Sequence, residues 1–380
     1  MAKDNGSLPA HLAFSQSITT KITHSLSNSC AQSMSVNELC QLADESIGDL
    51  DLSYAPLLGG IGLRQAIVKY HNKLNNADFG LEHRHVLTFC GAQEALAAIY
   101  KILLTSEDEV VVFTPCYPSL VSMAKANGAK VKTIELRAEN NWQIDFHQLE
   151  RAVNEKTKMI VINSPHNPTG SIVDSQTANE ILALAQKYQC YLLADDVSQA
   201  SNYQQLPLSH HYLSYEKSIV VSVMSKSFGL AGLRLGWVMT PNELLLKKLL
   251  VIKSYGSICC SIIDEQLGLW ALNHSDTIIK RNNTIIQKNI EIFQVFIDNN
   301  RSVFSWKAPQ AGILAVVELL IEQPVADWAK KLAEQSGLLI LPCSLFGLSG
   351  NYFRLGLGQE NFSQSLALLE KELSTRSVST

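Results

Sequence analysis

Short apolar runs alternate with segments of helical spacing between about residue 85 and residue 240. The runs are continuously apolar instead of alternating with polar positions, which is typical of strands covered by helices on both faces. We therefore predict an α/β fold with a mostly parallel sheet sandwiched by helices. The segments that contain the predicted strands are HVLTFCG, DEVVVFTPCYP, KVKTIEL, TKMIVINSPHNPTG, CYLLADD, SIVVSVMSK and VMT.

Helical spacing and good helix formers mark the segments between these strands. Examples are AQEALAAIYKILL, LVSMAKANG and SQTANEILALAQKYQ, and the first serine of the last segment is the expected N-cap. After Pro241 the pattern is helical to about residue 300, and AGILAVVEL, GLLILPC and YFRLGLG are predicted strands beyond it. We expect an N-terminal arm over residues 1–45, a large domain over 46–265 and a smaller α+β domain over 266–380, with which the arm packs.

Composition and charge exclude several classes of protein. The 380 residues are 46% apolar and 17% charged, which is too apolar for a disordered chain. Lys and Arg number 31 against 35 Asp and Glu, and this net charge of −4 without a basic stripe predicts no nucleic-acid partner. The chain has no run of 18 apolar residues and starts without the pattern of a secretory signal, so we expect a cytoplasmic protein without membrane contact.

The chain shows no pattern of metal ligands or of disulfide-forming cysteines. Its eight cysteines are scattered without C-x-x-C spacing, and His210-His211 has no further ligands at usable spacing. We therefore expect reduced thiols and no metal site.

Polar or aromatic residues follow five of the predicted strands. Open α/β sheets bind ligands at the carboxyl ends of their strands, where such residues converge on one edge. The five positions, in chain order, are Gly91-Ala92-Gln93, Tyr117, Asn167, Asp195 and Lys226. One such residue alone is a weak signal, but the ordered set indicates a single ligand site.

The chemistry of this set matches one cofactor. A lysine in a dry cleft loses its proton more easily and can form an imine, and an acid on a neighbouring strand can hold a protonated ring nitrogen. Gly91-Ala92-Gln93 opens a helix and offers backbone N–H groups to a phosphate, to which Arg234 adds a bidentate cation. Tyr117 offers a flat face for stacking. A ring with a protonated nitrogen, an aldehyde and a phosphate is pyridoxal 5'-phosphate.

These motifs resemble those of the fold-type I pyridoxal-phosphate enzymes, specifically the class I/II aminotransferases, from about residue 50 to 360. The matching segments, in family order, are YAPLLGGIGLRQAI, GAQEAL, TPCYPS, NSPHNPTG, ADDV, SKSFGLAGLRLGW and YFRLGLG. The resemblance implies the aminotransferase fold with a cofactor-binding large domain. It also implies an amino-acid aminotransferase that passes an α-amino group to a 2-oxo acid through a Schiff base on Lys226, in a homodimer with shared active sites.

The resemblance also implies a role for each matching residue. Lys226 is the Schiff-base lysine that moves the substrate α-proton, and Asp195 is the partner of the pyridinium nitrogen. Asn167 donates to the phenolic oxygen of the cofactor and also contacts the substrate, whose α-carboxylate Arg354 binds. The other cofactor-binding residues are Gly91, Ala92, Gln93, Tyr117, Ser198, Ser225, Arg234 and, from the neighbouring subunit, Tyr54.

Two positions depart from the family pattern. Ser198 stands where a tyrosine usually contacts the phenolic oxygen, and Val223 stands where a hydroxyl often touches the phosphate. The N-terminal stretch HSLSNSCAQSMSVNEL resembles that of capreomycidine synthase-type enzymes. The alternative is therefore a pyridoxal-phosphate lyase, cyclase or arginine-modifying oxidase on the same fold. A cofactor-binding regulator without catalysis is a third hypothesis, which the retained Lys226 disfavours.

Overall fold

The computed structural model describes residues 8–206 and 211–377. The first seven residues of the expected arm, His210 of the histidine pair and the last three residues of the expected small domain lie outside these ranges. Within them, the strands are β1 (His24–Ser25), β2 (Val86–Phe89), β3 (Glu109–Thr114), β4 (Lys130–Glu135), β5 (Thr157–Asn163), β6 (Tyr191–Asp195), β7 (Ser218–Val223), β8 (Gly236–Met239), β9 (Phe304–Trp306), β10 (Leu314–Leu319), β11 (Leu338–Leu339), β12 (Leu341–Pro342) and β13 (Tyr352–Gly356). The helices are α1 (Ala10–Gln16), α2 (Val36–Ala43), α3 (Ile61–Leu74), α4 (Ala92–Leu103), α5 (Ser119–Ala126), α6 (Phe146–Ala152), α7 (Ser175–Tyr188), α8 (Glu243–Ser254), α9 (Ile262–Asn273), α10 (Ser275–Asn299), α11 (Val325–Ser336) and α12 (Phe362–Ser377).

Seven strands form the large sheet in the order β2-β8-β7-β6-β5-β3-β4. Strand β8 runs antiparallel to both of its neighbours, so β2 and the other five strands share one direction. Their carboxyl ends therefore lie at one edge of the sheet. The predicted α/β fold with a mostly parallel sheet is confirmed.

Successive residues of the central strands pack into two different cores. In β7, Ile219 and Val221 belong to the core on one face of the sheet, while Val220 belongs to the core on the other. Helix α4 packs on the first face, and helices α3 and α7 pack on the second. Because side chains alternate across a strand, burial of both faces requires a continuous apolar run, which is the pattern in the sequence.

A second, antiparallel sheet has the order β12-β13-β10-β9 and packs with α10, α11 and α12 around an aromatic core. The prediction of one strand in GLLILPC is wrong, because the segment divides at Ile340 into β11 and β12. The carbonyl of Leu339 accepts from the Leu26 amide, but the Leu341 amide donates to the Ser27 hydroxyl. The two halves thus take different partners, with β11 parallel to β1 and β12 antiparallel to β13.

Residues 24–32, here called the strap, connect the two sheets. Its first two residues form β1, which pairs with β11. Its far end reaches the large sheet, where the Ala31 amide donates to the Lys226 carbonyl at 3.0 Å. A Cβ atom on Gly356 would lie 2.0 Å from the Asn28 carbonyl oxygen, so glycine is required for the strap to pass β13 this closely.

The predicted serine cap of α7 is wrong by one residue. Ser175 is the first residue of the helix, and the N-cap is Asp174, whose carboxylate accepts from the Thr177 amide and hydroxyl at 2.8 and 3.1 Å. A carboxylate satisfies the free amides of the first turn and also interacts favourably with the positive end of the helix dipole.

Candidate active site

A cavity of about 250 Å³ lies at the carboxyl edge of the large sheet. It brings together most of the residues that the sequence singled out, although they come from segments more than 100 residues apart in the chain. The predicted residues that line it are Ala92, Gln93, Tyr117, Asn167, Asp195, Ser198, Ser225, Lys226 and Arg234. Eight further lining residues were not predicted as site residues: Ser29, Cys30, Leu96, Asn163, Val197, Val223, Ala231 and Leu314.

The buried carboxylate of the site is Asp195, the last residue of β6. Its side chain is almost inaccessible, and this burial raises its pKa from 3.8 to about 6, although the Val197 amide and the charge of Lys226 oppose the rise. A carboxylate in a dry site without a paired cation favours any ligand that brings a positive charge to it.

Lys226 follows the end of β7 by three residues, and β7 lies beside β6. Its Nζ donates to the Ser29 hydroxyl at 2.8 Å and lies 3.9 Å from the Cys30 sulfur. The strap therefore forms one wall of the cavity next to the lysine. These contacts give the strap a direct role in the geometry of the site, beyond packing with the small sheet.

Gly91 and Arg234 form a cradle that suits an anion. Gly91 is the N-cap of α4 with φ of 91°, and Arg234 is itself in the left-handed region with φ of 43°. A Cβ atom on Gly91 would lie 2.6 Å from a terminal nitrogen of Arg234, and one on Gly236 would lie 2.7 Å from the Ala92 amide nitrogen. The glycines thus let a guanidinium and the free amides of a helix N-terminus approach each other.

The side chain of Gln93 is already engaged within the protein. Its amide nitrogen donates to the Ser119 hydroxyl at 2.8 Å. What Gln93 offers to a phosphate in this arrangement is its backbone N–H at the start of α4.

Asn163 orders the residues around it by two side-chain hydrogen bonds. Its Oδ1 accepts from the Asn167 amide at 2.7 Å, and its Nδ2 donates to the Asp195 carbonyl at 2.9 Å. The Asn167 side chain in turn accepts from Arg354 Nη1 at 3.3 Å. Asn163 is the last residue of β5, so the rule that selected Asp195 from the sequence could also have selected Asn163.

Arg354 does not line the cavity. It lies on β13, is 4% exposed and donates from Nη2 to the Ser27 carbonyl of the strap at 2.9 Å. Burial lowers the pKa of its guanidinium to about 10. The arginine is linked to the cavity through Asn167, and the strap covers its other side.

Tyr54 also lies away from the cavity of its own chain. It is 83% exposed, in a loop whose hydrogen bonds include two to side chains of neighbouring helices. Lys253 donates to the Leu57 carbonyl at 2.6 Å, and Glu265 accepts from the Gly60 amide at 2.7 Å. The loop is thus fixed to α8 and α9, but it presents Tyr54 outward.

The residues of the cavity fit pyridoxal phosphate in three separate respects. Asp195 is a buried acid suited to a protonated ring nitrogen, and Lys226 is an amine inside the cavity. The cradle of Gly91 and Arg234 has room for an anion only because no Cβ fills it. Together they provide a partner for the ring nitrogen, for the aldehyde and for the phosphate.

The sequence model described as aminotransferase class I and II matches residues 34–361. The chain belongs to this family. The class I and II aminotransferases are pyridoxal-phosphate enzymes, so the predictions of family, enzyme class and cofactor are confirmed. In the described residues of this aminotransferase-family chain, no helix is both long and apolar enough to cross a membrane.

Individual relatives within the family differ in activity. Over 292 residues the chain is 29% identical to capreomycidine synthase of Streptomyces vinaceus, covering 76% of this chain and 75% of that one. Over 335 residues it is 27% identical to an aspartate aminotransferase of Pyrococcus horikoshii, covering 84% and 83%. Its fold matches a pyridoxal-phosphate-dependent aminotransferase of Streptococcus suis with a TM-score of 0.89 at 24% identity, covering 97% of this chain and 98% of that one.

Proposed function

We propose that this enzyme transfers the α-amino group of an amino acid to a 2-oxo acid, with Lys226 as the group that carries the proton. The supporting observation is that Lys226, Asp195 and the cradle of Gly91 and Arg234 surround one cavity. An aminotransferase needs an amine, a ring-nitrogen partner and a phosphate anchor within the reach of one small molecule, and this cavity offers all three.

Pyridoxal phosphate, when bound, supplies an electron sink for the charge that remains when a proton leaves the substrate α-carbon. The chain's own groups do the remaining work. Asp195 would accept a hydrogen bond from the protonated ring nitrogen and balance its positive charge. The cradle of Gly91 and Arg234 would hold the phosphate, and Tyr117 would offer its face to the ring. Asn167 would donate to the ring oxygen, and Ser198 and Ser225 line the same cavity.

Lys226 moves the proton of the substrate. Its Nζ would take the proton from the substrate α-carbon as a general base and hold it for return as a general acid. The Ser29 hydroxyl accepts from Nζ and orients the amine while the substrate is not in contact with it. Arg354 binds the α-carboxylate and shares Asn167 with the cofactor site, so substrate and cofactor are aligned through one amide.

A second candidate is a lyase, cyclase or oxidase reaction that uses the same cofactor. Capreomycidine synthase is among the relatives, and Ser198 lines the cavity in place of the usual tyrosine. Ser29 and Cys30 add a hydroxyl and a thiol beside Lys226. A reaction that extends beyond the α-carbon requires further polar groups next to the amine. This hydroxyl and this thiol are two such groups.

Amino-acceptor stoichiometry separates the two functions. The holoenzyme is incubated with a panel of amino acids, each with and without a 2-oxo acid, and products are counted by NMR. Transamination predicts one new amino acid for each substrate consumed and no sustained turnover without the acceptor. Substrate loss that continues without the 2-oxo acid, and forms no second amino acid, supports the alternative reaction and contradicts transamination.

We also propose that the active unit is a homodimer in which Tyr54 completes the site of the neighbouring subunit. Tyr54 is exposed in its own chain, and large apolar side chains are exposed close to it in sequence, including Leu52 and Ile61. Surface of this kind is typical of an interface between subunits.

Tyr54→Phe should weaken cofactor binding by about ten- to a hundredfold. This is the loss of affinity expected when one hydrogen bond to a charged group is removed.

Mixed dimers test whether Tyr54 acts across the interface. Subunits that carry Lys226→Ala are mixed with subunits that carry Tyr54→Phe, and turnover is measured at limiting cofactor. If Tyr54 acts across the interface, each mixed dimer contains one complete site and activity rises above that of either parent. Unchanged activity in the mixture, or an active cofactor-loaded monomer in sedimentation, would contradict the shared site. Tyr188→Phe on α7 is the matched control.

A further inference from the structure

Helix α1 brings His11 to the substrate side of the site. The His11 ring lies 5.6 Å from the ring of Tyr117, which lines the cavity, and 5.9 Å from that of Phe346, measured between centroids. The guanidinium carbon of Arg354 lies 4.4 Å from the same Phe346 ring. His11 therefore stands between a wall of the cavity and the arginine proposed to bind the substrate carboxylate.

Two buried polar atoms at this place have no hydrogen-bond partner among the residues that the structure describes. They are Nδ1 of His11 and Nε of Arg354. A buried polar group without a partner costs about 1–3 kcal/mol, so native proteins leave few of them. Two together, one on an arginine and one on a histidine, indicate the place of a ligand that accepts hydrogen bonds.

The charges around His11 are of one sign. Burial lowers the pKa of the imidazole below its usual 6.5, and the positive charges of Arg354 and Lys226 lower it further. Three further ionisable groups act on Arg354, namely the phenol of Tyr117 and the thiols of Cys30 and Cys343. Burial raises the pKa of the Cys343 thiol. The surroundings of His11 therefore attract an anion and disfavour a proton on the ring until that anion arrives.

We propose that His11 is a substrate-binding residue that takes up a proton and hydrogen-bonds to the carboxylate held at Arg354. The bound carboxylate neutralises the charge of Arg354 and offers the unpartnered Nδ1 an acceptor. Both effects favour imidazolium over imidazole. His11 has this role only if Arg354 binds the substrate carboxylate, as proposed above.

Proton uptake by His11 on binding predicts how the affinity for a carboxylate depends on pH. Because the complex holds one more proton than the free enzyme, affinity for a carboxylate falls as pH rises between the pKa of free His11, below 6.5, and its higher pKa in the complex. Above that interval His11 is neutral in both states and adds no pH dependence. Other groups that titrate in the holoenzyme make the same contribution to the pH dependence of binding in the wild type and in a variant that lacks only the imidazole.

The experiment measures the His11 pKa directly, in the holoenzyme with ring-labelled histidine. NMR titrations are run with and without saturating propionate, which carries a carboxylate but no amino or keto group. The His11→Phe spectrum assigns the signal. A pKa that rises by about one unit or more with propionate is expected, as for an ionisable group that gains an opposite charge nearby. An unchanged or lower pKa, or no propionate binding, overturns the role.

Propionate affinities of variants give an independent check. His11→Phe keeps an aromatic ring against Phe346 and should weaken binding about tenfold at pH 6, with a much smaller change at pH 8.5. The same loss at both pH values would contradict proton uptake. His147→Phe, at an exposed position on α6, is the matched control. Amino transfer is assayed in the same preparation, so a holoenzyme that binds propionate through His11 but transfers no amino group refutes only the proposed reaction.

Discussion

Replacing Lys226 with alanine should lower turnover by about 10⁴-fold while the protein still binds pyridoxal phosphate. The expected loss is large because the proposed function assigns to one amine both the anchoring of the cofactor and the proton transfer, and general acid–base catalysis alone contributes up to about 10⁴-fold. Binding persists because Asp195 and the cradle of Gly91 and Arg234 do not depend on the lysine. Turnover is measured with saturating cofactor, and cofactor content is measured by absorbance after gel filtration.

Chemical rescue distinguishes a missing amine from a damaged site. Removal of the Lys226 side chain enlarges a cavity that already reaches Ser29 and Cys30, so a small primary amine such as ethylamine can enter. It should restore part of the activity in proportion to its concentration. Lys125→Ala, at an exposed position on α5, should behave as wild type. Full activity of Lys226→Ala without added amine would remove the lysine from the mechanism.

Asp195→Asn should have opposite effects on the apoenzyme and on catalysis. The folded state holds the Asp195 proton more tightly than the unfolded chain does, because burial raises the pKa from 3.8 to about 6. Stability therefore falls as pH rises from 3.8 to 6, and the full cost, about 3 kcal/mol, is present above pH 6. Asparagine removes this cost, so the variant apoenzyme should be more stable at neutral pH.

The same substitution should weaken the holoenzyme. Without the carboxylate no negative charge faces the ring nitrogen, and turnover should fall by about 10²- to 10³-fold, as for the loss of one electrostatic stabiliser. Thermal unfolding with and without cofactor measures both effects, and the stabilisation by cofactor should shrink in the variant. An apoenzyme that is no more stable than wild type at pH 7, or full activity of the variant, would contradict the assignment. Asp49→Asn, at an exposed position, is the control.

The large sheet and the residues at its edge could be predicted because both obey local rules. The central strands are buried on both faces and so appear as continuous apolar runs, and the polar residues at the end of such a run mark the edge of the sheet. Asp195 and Lys226 were found in this way. Asn163, the last residue of β5, obeys the same rule but was passed over for Asn167 in the loop that follows.

The residues that the sequence could not reveal come from the N-terminal 32 residues. His11, Ser29 and Cys30 lie in segments without apolar periodicity, and their partners are far away in the chain. Ser29 and Lys226, for example, are separated by 197 positions. Similarly, the division of GLLILPC at Ile340 depends on Leu26 and Ser27, which no local pattern connects with it. Such contacts follow from tertiary packing and not from local propensity.

The strap also determines when a newly synthesised chain can become an enzyme. It leaves the ribosome more than 300 residues before its partners in β11, β12 and β13. Domains generally fold in the order in which they are made, so the large sheet can form while the strap still has no strand to join. The wall beside Lys226 then closes only after residue 356 has emerged. Synthesis itself thus delays completion of the wall beside Lys226 until the small sheet has been made.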